Sequence, residues 1–383
     1  MTPSTGEATE YDVIVLGAGS SGENVADRAV QGGLTAALVE HELVGGECSY
    51  WACMPSKALL RSAQALNAAR QVPGAAQAIT GKLDVRAVLA RRDVFTHNWS
   101  DESQVQWMEG AGISLARGHG HITGPKQVTV KLADGSISVL TARQAVVVAT
   151  GSDPLIPGIE GLRDARPWTS REATSAKGVP ASLAIIGGGV VAAEMATAYA
   201  GFGTTVTVIS RAGLLAGMEP FAGELVLKSL RAQGVTVLLD TETTRVTRSE
   251  GGGVVVETGD GAVIAAEQVL VATGRTPRTR DVGLDAIGLT PGDWIETDDT
   301  LRVPGLDWLY AVGDVNHRAL LTHQGKYQAR AAGDVIVARA HGAPVSEKPW
   351  GTHVATADHE AVPQVTFTEP EVASALGIHL GGK

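Results

Sequence analysis

A glycine-rich turn occurs twice in this sequence, each time directly after a short apolar run. Residues 13–16 lead into GAGSSG, which begins at Gly17, and residues 183–186 lead into GGGVVA, which begins at Gly187. A helical segment and a second apolar strand follow in both copies, and the second strand ends 23 positions after the first glycine in each. Strand, glycine turn, helix and strand in this order predict two βαβ units with parallel strands.

The first copy has the spacing of a dinucleotide-binding motif. Gly17 would allow the tight turn, Gly19 the close approach of a pyrophosphate, and Gly22 the packing of the helix on the strand. Ser20 opens the helix, where free N–H groups and the helix dipole favour an anion. Glu40 ends the second strand and would accept hydrogen bonds from a ribose. The alternative is a glycine-rich loop in an ordinary βαβ unit.

The second copy differs at its last position. Gly187 and Gly189 occupy the motif positions, and Val190 follows where the helix begins. Ser210 stands where the first copy has its glutamate, and Arg211 comes next. A carboxylate there would repel a 2′-phosphate, whereas serine and arginine would accept one. The second site is therefore expected to bind NADPH, with NADH as the alternative; a solvated arginine at a strand end is the simpler explanation of Arg211.

Composition excludes several classes of function. The net charge is −10 and the chain shows no cluster of Lys and Arg, which argues against a nucleic-acid partner. No apolar run reaches the ~18 residues that a membrane span needs. The N-terminal sequence is acidic and polar, unlike a signal peptide. A cytoplasmic protein without a membrane partner is expected.

The sequence ECSYWACMPSK contains Cys48 and Cys53, the two cysteines of the chain. A redox pair, buried free thiols and metal ligation are the alternatives, and a permanent disulfide does not suit the cytoplasm. Pro55 fits best in the first turn of a helix that carries Lys57. Both cysteines would then lie at or just before a helix N-terminus, where the dipole stabilises a thiolate. A bond between them would need an irregular first turn or a kink, because residues five apart on a regular helix point ~140° apart.

The ordered motifs resemble those of the class I pyridine nucleotide-disulfide oxidoreductases, such as glutathione reductase, dihydrolipoamide dehydrogenase and mercuric reductase. These motifs are GAGSSG, GGECSYWACMPSK, VVVATG, GGGVVAAE, VLVATGRTP and LYAVGD. The resemblance implies an α/β fold with two Rossmann-like, doubly wound, three-layer domains, the NAD(P)H domain being inserted into the FAD domain. The implied divisions are residues 1–152 and 275–350 for FAD, 153–274 for NAD(P)H, and 351–383 for the start of a truncated α+β interface domain.

The resemblance also implies roles for individual residues. FAD would contact the first glycine motif and further positions, namely Gly46, Lys57, Gly120, Thr150, Gly151, Asp314 and Thr322, and Gly274 would contact the nicotinamide nucleotide. Cys48 and Cys53 would form the redox disulfide, with Cys48 exchanging with substrate and Cys53 lying against the flavin. Lys57 would lie near the flavin, paired with Glu194.

One residue and one three-residue stretch beside the cysteines depart from the family pattern. Glu47 stands where relatives commonly have threonine, and Tyr50, Trp51 and Ala52 replace Asn-x-Gly. Glu47 is expected to raise the pKa of a neighbouring thiol, and Trp51 to add bulk close to the flavin or the substrate entrance. The acceptor is therefore left open.

The C-terminal segment resembles the family's interface domain and is expected to stop after its first strand. Relatives have a His–Glu dyad there that protonates the leaving thiolate, which His379 does not match. The expected function is passage of electrons from NADPH through FAD and the cysteine pair to a small-molecule or small-protein disulfide. Alternatives are dithiol oxidation with NAD, a redox sensor without turnover, and direct metal-ion or quinone reduction. The family's homodimer is not assured without the interface domain.

Overall fold

The structure is a computed structural model, and it describes residues 9–376. Parallel strands alternate with helices in both halves of the chain. The strands are β1 (Thr9–Leu16), β2 (Ala36–Glu40), β3 (Ser114–Gly124), β4 (Gln127–Leu132), β5 (Ile137–Val148), β6 (Ser152–Pro154), β7 (Ser182–Ile186), β8 (Thr205–Ile209), β9 (Thr236–Leu238), β10 (Thr243–Arg248), β11 (Val254–Thr258), β12 (Val263–Ala266), β13 (Gln268–Val271), β14 (Arg275–Pro277), β15 (Leu309–Ala311), β16 (Val362–Thr366) and β17 (Val372–Leu376).

The helices connect these strands and cover the sheet faces. The α-helices are α1 (Ser20–Gln31), α2 (Gly46–Tyr50), α3 (Cys53–Gln71), α4 (Ala75–Ala78), α5 (Val85–Phe95), α6 (Glu102–Gly110), α7 (Ser170–Ser175), α8 (Val190–Gly201), α9 (Pro220–Ala232), α10 (Thr322–Ala340) and α11 (Ala357–Glu360). Short 3-10 helices cover His97–Trp99, Leu284–Ile287 and Gly313–Asn316. No helix in residues 9–376 combines the length and apolarity that crossing a membrane requires.

The first sheet is parallel at its centre, in the order β3-β2-β1-β5-β15. The outer halves of β3 and β5 also pair with β4 and form an antiparallel meander. Apolar side chains of α1 and α10 pack on one face of the parallel strands, and the meander covers the other. Because β1 and β5 are apolar on both faces, they can lie at the middle of these three layers.

The second sheet repeats this plan. Its four parallel strands run in the order β13-β7-β8-β9, with α8 and α9 on one face. The antiparallel strands β10, β11 and β12 cover the other face. In each sheet the strand that ends in Ala-Thr-Gly lies beside the strand that leads into the glycine turn. The two predicted βαβ units and the three-layer α/β fold are confirmed.

The chain passes between the two sheets through a short antiparallel pair of strands. β6 follows the first sheet and β14 follows the second, and Ser152 lies opposite Pro277. Both strands occur where the sequence predicts domain boundaries, at residues 153 and 274. The division into domains itself stays a prediction.

The C-terminal part of the described chain forms a β-hairpin. β16 and β17 are antiparallel, with Val362 opposite Leu376 and Thr366 opposite Val372. The expectation that this segment stops after its first strand is therefore wrong. The sequence TEPE between the strands forms a turn, and the apolar positions after it are regular enough to pair.

Candidate functional site

The carboxyl ends of the first sheet's parallel strands surround a cavity of about 580 Å³. Ten of the residues predicted to contact FAD line it, although they come from positions up to 305 residues apart. They are Gly17, Gly19, Ser20, Glu40, Gly46, Gly120, Thr150, Gly151, Asp314 and Thr322. Gly22 and Lys57 are not among the lining residues. Open α/β sheets bind ligands at this edge.

The glycines in this cavity differ in what surrounds them. A Cβ atom at Gly17, where φ is +97°, would lie 2.5 Å from the carbonyl oxygen of Ala149, and one at Gly22 would clash with the Gly17 carbonyl. A Cβ at Gly19 would meet no atom within 4 Å, since it would point into open space. Gly19 is also the N-cap of α1 and offers no side chain to the first N–H groups. These free donors and the space before them fit a pyrophosphate, as FAD would supply.

Two carboxylates complete this cavity. Glu40 is 7% exposed, and its two oxygens accept the N–H groups of Ala18 and Glu42, both at 2.8 Å. These bonds fix the carboxylate at the end of β2, where a ribose hydroxyl would reach it. Asp314 accepts from Ser152 Oγ at 2.6 Å and lines the same space. The residues present fit FAD, so the chain could hold this cofactor.

The two cysteines lie in separate helices that meet at an irregular peptide. Cys48 is in α2, and Cys53 is the first residue of α3. Ala52 between them has non-helical dihedral angles (φ −128°, ψ −96°), which supplies the predicted break in the helix. Pro55 occupies the first turn of α3, as expected. Both sulfurs are free thiols here, and Cys53 Sγ lies 3.3 Å from the hydroxyl of Thr322.

The two thiols have opposite pKa shifts. The hydrogen bond from Cys48, together with the Thr322 hydroxyl and the charge of Lys57, lowers the pKa of Cys53 to about 6 against the effect of burial. The same hydrogen bond, burial and the Cys53 charge raise the pKa of Cys48. Cys48 is thus the thiol of the pair that keeps its proton more tightly. One proton is shared by the pair, and the thiolate at the start of the long helix keeps the charge.

Lys57 and Glu194 form the predicted ion pair, although 137 residues separate them. Lys57 Nζ lies 3.0 Å from Oε2 and 3.3 Å from Oε1 of Glu194. The Glu194 side chain is only 6% exposed, and the Lys57 side chain is 38% exposed. Since Lys57 follows Cys53 by one helical turn, the pair places a fixed positive charge near the thiolate.

A polar network surrounds Glu47 and ties together three parts of the chain. Glu47 Oε1 accepts from Arg171 Nε at 2.7 Å and from Arg278 Nη2 at 2.9 Å. Arg171 also pairs with Glu42, and its guanidinium lies 3.8 Å from the ring centroid of Trp51. Two guanidinium groups therefore neutralise the negative charge of Glu47. Glu47 is not among the causes of the cysteine pKa shifts described above. Trp51 lines the first cavity, as its predicted position requires.

The second sheet carries a cavity of about 470 Å³ at the corresponding edge. Five predicted residues line it, namely Gly187, Gly189, Ser210, Arg211 and Gly274. Val190 begins α8 and is not among the lining residues, and no side chain caps this helix. A Cβ at Gly189 would again meet open space, whereas one at Gly187 would clash with the Ala272 carbonyl. The cavity fits a second dinucleotide on the same grounds as the first.

Sequence reasoning missed a half-buried acid in another, smaller cavity. Glu23, in the first turn of α1, lines a smaller cavity with Trp107 and Lys326. Its Oε1 is buried and has no hydrogen-bond partner among the described residues. Burial raises the pKa of Glu23 to about 7. No sequence signal identifies it, because an acid in a first helical turn is usually a surface residue that favours the dipole.

Sequence reasoning also missed the residues that support the predicted ones. Arg171, Arg278 and Glu42 around Glu47 carry no motif, and only the unusual residue at position 47 draws attention to this place. Within residues 9–376 no group of His, Cys, Asp and Glu has the arrangement of a metal site. His379 lies outside the described residues.

Two nucleotide-sized cavities at equivalent edges of two α/β sheets, with a thiol pair beside the first, define a two-dinucleotide redox protein. The chain belongs to the pyridine nucleotide-disulphide oxidoreductase family, which it matches over residues 11–342. This family uses FAD and NAD(P)H. The motifs that indicated the family from sequence are thus confirmed.

Known relatives extend over almost the whole chain. A mercuric reductase of Acidithiobacillus ferrooxidans is 32% identical over 376 residues, which are 97% of this chain and 65% of the relative. A dihydrolipoyl dehydrogenase of Chlorobaculum tepidum is 33% identical over 378 residues, covering 96% and 76%. The chain therefore spans somewhat less than two thirds of the length of the mercuric reductase.

Two solved structures with the same fold cover almost the whole of this chain. The Cu(II) complex of the HOCl-induced flavoprotein disulfide reductase RclA from Escherichia coli superposes with a TM-score of 0.81 at 22% identity, covering 96% of this chain and 77% of that one. LpdA from Mycobacterium tuberculosis gives a TM-score of 0.79 at 25% identity, covering 96% and 78%. The likeness to RclA concerns the fold alone.

Proposed function

We propose that this protein is an FAD-dependent NAD(P)H:disulfide oxidoreductase that reduces small-molecule or small-protein disulfides in the cytoplasm. The observation that carries the proposal is the pair formed by Cys48, which lines the first cavity, and Cys53, whose Sγ lies 3.3 Å from the hydroxyl of Thr322 in the same cavity. A thiol pair in this position would be available both to a bound flavin and to an acceptor. The lysine charge held beside it favours the thiolate form.

The proposed cofactors divide the work with the protein. FAD, bound in the first cavity, would take a hydride from the nicotinamide nucleotide and supply two electrons to the cysteine disulfide. The protein binds and orients both nucleotides through the two helix N-termini. Asp314 and Glu40 would hold polar groups of the flavin nucleotide, and Lys57 would keep a positive charge near its reacting end. The latter role rests on the family resemblance.

The thiol steps follow from the pair's geometry. As Cys48 attacks an acceptor disulfide R–S–S–R′, its proton passes along the existing hydrogen bond to Cys53, a mixed disulfide with R–S forms, and R′–S⁻ leaves. Cys53 then loses that proton and attacks the Cys48 sulfur, which releases R–S⁻ and restores the Cys48–Cys53 disulfide. Two protons from solvent convert the products to thiols. Each cycle thus consumes one NADPH and forms two thiols.

NADPH is the proposed donor. Ser210 and Arg211 both line the second cavity and provide a hydroxyl and a cation where a 2′-phosphate would lie. Glu242 also lines this cavity, on a different segment. Because a carboxylate at position 210 would repel the phosphate, the serine favours NADPH over NADH. A Ser210→Glu variant should lower the ratio of kcat/KM for NADPH to kcat/KM for NADH by tenfold or more, so that NADH becomes the preferred donor.

The function is tested with the FAD-loaded protein, NADPH and a panel of low-molecular-weight disulfides. The expected result is two free thiols for each NADPH consumed, with at least one acceptor. Cys48→Ser should stop thiol production. If NADPH consumption yields no thiol with any acceptor, or if thiol production continues in Cys48→Ser, disulfide reduction is not the function. Reduction of the protein's own disulfide without turnover would indicate a redox sensor instead.

A further inference from the structure

The turn of the C-terminal hairpin, residues 367–371, packs against α3. Gln64 Nε2 donates to the Phe367 carbonyl at 3.2 Å, and Asn67 Nδ2 donates to Glu369 Oε2 at 2.9 Å. The two donors lie one turn apart on the helix that begins at the redox cysteines. This hairpin turn is therefore fixed to the helix by polar contacts at its first residue and at its middle residue.

Phe367 contacts both members of the Lys57–Glu194 pair. Its backbone N–H donates to Glu194 Oε1 at 3.0 Å, and its ring centroid lies 4.5 Å from Lys57 Nζ. The ammonium is thus held between a carboxylate and an aromatic face, which attracts cations. The carboxylate thus receives a third hydrogen bond, which offsets part of the loss of water around a group only 6% exposed.

The phenyl ring has little freedom to move away from the ammonium. It is half-buried and packs on an apolar cluster between α3, α5 and α8, which contains Leu59, Leu60, Val88, Ala198 and Phe202. Thr366 and Thr368 on either side are fully buried. The position of the ring is therefore set by the packing of three helices.

This contact matters for the thiols through charge. The hydrogen bond from Cys48 is the largest cause of the low pKa of Cys53, and the charge of Lys57 contributes further in the same direction. Lys57 has a long flexible side chain that is 38% exposed. Unless it is confined, its ammonium would spend time in solvent, where water screens its effect on the thiolate.

We propose that Phe367 is a positioning residue, which acts from the C-terminal hairpin turn to hold the Lys57–Glu194 pair in place beside Cys53. The proposal rests on the proposed function, since it assigns the ion pair to the redox thiols. It also gives the hairpin a part in the site, because a segment more than 300 residues away in sequence fixes the lysine next to the cysteines.

The test follows the two thiols directly by NMR. The chain contains only two cysteines, so carbon-13 labelling at cysteine Cβ gives two signals whose shifts report each thiol's ionisation. In the reduced, FAD-loaded protein, Phe367→Ala should raise the pH at which Cys53 ionises. The thiolate fraction of Cys53 near pH 6 should fall about two- to threefold. Both variants keep the backbone N–H, and Phe367→Leu, which also keeps most of the bulk but not the aromatic face, should give a smaller shift in the same direction.

Phe202→Ala is the matched control. Phe202 packs in the same apolar cluster, and within residues 9–376 no hydrogen bond or cation–π contact joins it to the ion pair, so its loss should lower thermal stability and leave the titration of Cys53 unchanged. A second comparison uses Lys57→Met. If Phe367 acts through Lys57, adding Phe367→Ala to Lys57→Met should cause no further shift.

Three results would overturn the proposal: an unchanged Cys53 titration in Phe367→Ala, an equal shift in Phe202→Ala, or a full additional shift on top of Lys57→Met. Phe367→Leu serves the same comparisons if the alanine variant does not fold. The titration requires no acceptor. A failure to reduce any disulfide would therefore reject the proposed function while leaving this measurement to decide the role of Phe367 separately.

Discussion

At the scale of single residues, the thiol pair shows how a neighbour rather than the fold decides reactivity. Cys48 and Cys53 are similarly buried, yet one pKa is raised and the other lowered to about 6. The difference arises mainly from the hydrogen bond between the two thiols, which lowers the pKa of Cys53 and raises that of Cys48, while the Thr322 hydroxyl and Lys57 add to the lowering at Cys53. The charge therefore rests on the thiol that the family resemblance places against the flavin.

Removing the donor should show this dependence. In Cys48→Ala the hydrogen bond is lost, and we expect the pKa of Cys53 to rise by about one unit. Cys48→Ser keeps a donor hydroxyl and should give a smaller rise. Cysteine carbon-13 shifts measured between pH 4 and pH 9 would give both values. A Cys53 pKa that stays near 6 in Cys48→Ala would contradict the assignment and make the helix terminus or Lys57 the dominant cause.

Glu23 leads to a prediction about stability and pH. Its folded-state pKa is about 7, above the ordinary value of 4.5, so the folded protein binds this proton more tightly than the unfolded chain. The free energy of unfolding should therefore fall as pH rises from about 4.5 to 7, where folding requires a charged buried carboxylate. Glu23→Gln removes this cost and should stabilise the protein at pH 8 by up to about 3 kcal/mol, with little change at pH 4.

Thermal or urea unfolding at the two pH values checks the Glu23 prediction. Glu102, an acid in the first turn of α6, serves as a comparison, since Glu102→Gln should give no such pH-dependent gain. Equal effects of Glu23→Gln at pH 4 and pH 8 would mean that the carboxyl is not held neutral by burial.

Site residues that belong to sequence motifs could be predicted from the sequence. Site residues whose contacts depend on packing could not. Cys48, Lys57 and Gly17 stand in short sequences whose spacing carries the information. The contacts of Phe367 with Glu194 and of Arg171 with Glu47 join positions 173 and 124 residues apart. Nothing in a single sequence specifies such pairs, because they depend on how whole elements pack.

At the scale of elements, the two glycine turns have the same design. In each turn the first glycine, Gly17 or Gly187, has a positive φ and lies against a carbonyl of the Ala-Thr-Gly segment. The second motif glycine, Gly19 or Gly189, is the N-cap residue of a helix whose first N–H groups receive no side-chain hydrogen bond. The first glycine is thus required by the fold, whereas the second borders open space. This difference could not be seen in the sequence, where both are simply glycines.

Alanine substitutions should separate these two requirements. Gly17→Ala places a Cβ against the Ala149 carbonyl at φ +97° and should destabilise the protein by about 2 kcal/mol or more. Gly19→Ala meets no atom within 4 Å at φ −74°, so the melting temperature of the cofactor-free protein should stay nearly unchanged. FAD affinity, measured by titration, should nevertheless fall at least tenfold. Equal loss of stability in both variants would contradict the distinction.

The sequence predicted the βαβ elements and missed others for a local reason. Strand, turn and helix signals lie within 30 residues in each βαβ unit, so β1, α1 and β2 follow from their own residues. The hairpin of β16 and β17 was expected to be a single strand. Its pairing is established by the cross-strand register from Val362 to Thr366, which no short sequence signal indicates.

At the scale of the whole molecule, a few buried polar residues connect the helical segment after the cysteines with the second nucleotide-binding region. Arg92 on α5 is only 1% exposed, and its Nη1 donates to the carbonyls of Thr174 and Ala176 at 2.7 and 3.0 Å. Its guanidinium lies 5.1 Å from the ring centroid of Trp99. A buried arginine stays charged only when its donors are paired, so this contact fixes the two parts of the chain in one arrangement.

Replacing Arg92 should therefore weaken the molecule as a whole. Arg92→Met keeps most of the side-chain volume but leaves two carbonyl groups without their donor, and we expect a loss of about 3 kcal/mol in the free energy of unfolding. Arg86→Met, at an exposed position of the same helix, should change it by less than about 0.5 kcal/mol. Urea unfolding of the three proteins measures both differences. If the two variants lose equal stability, the connection through Thr174 and Ala176 does not hold the regions together, and the apolar contacts between α3 and α8 must do so instead.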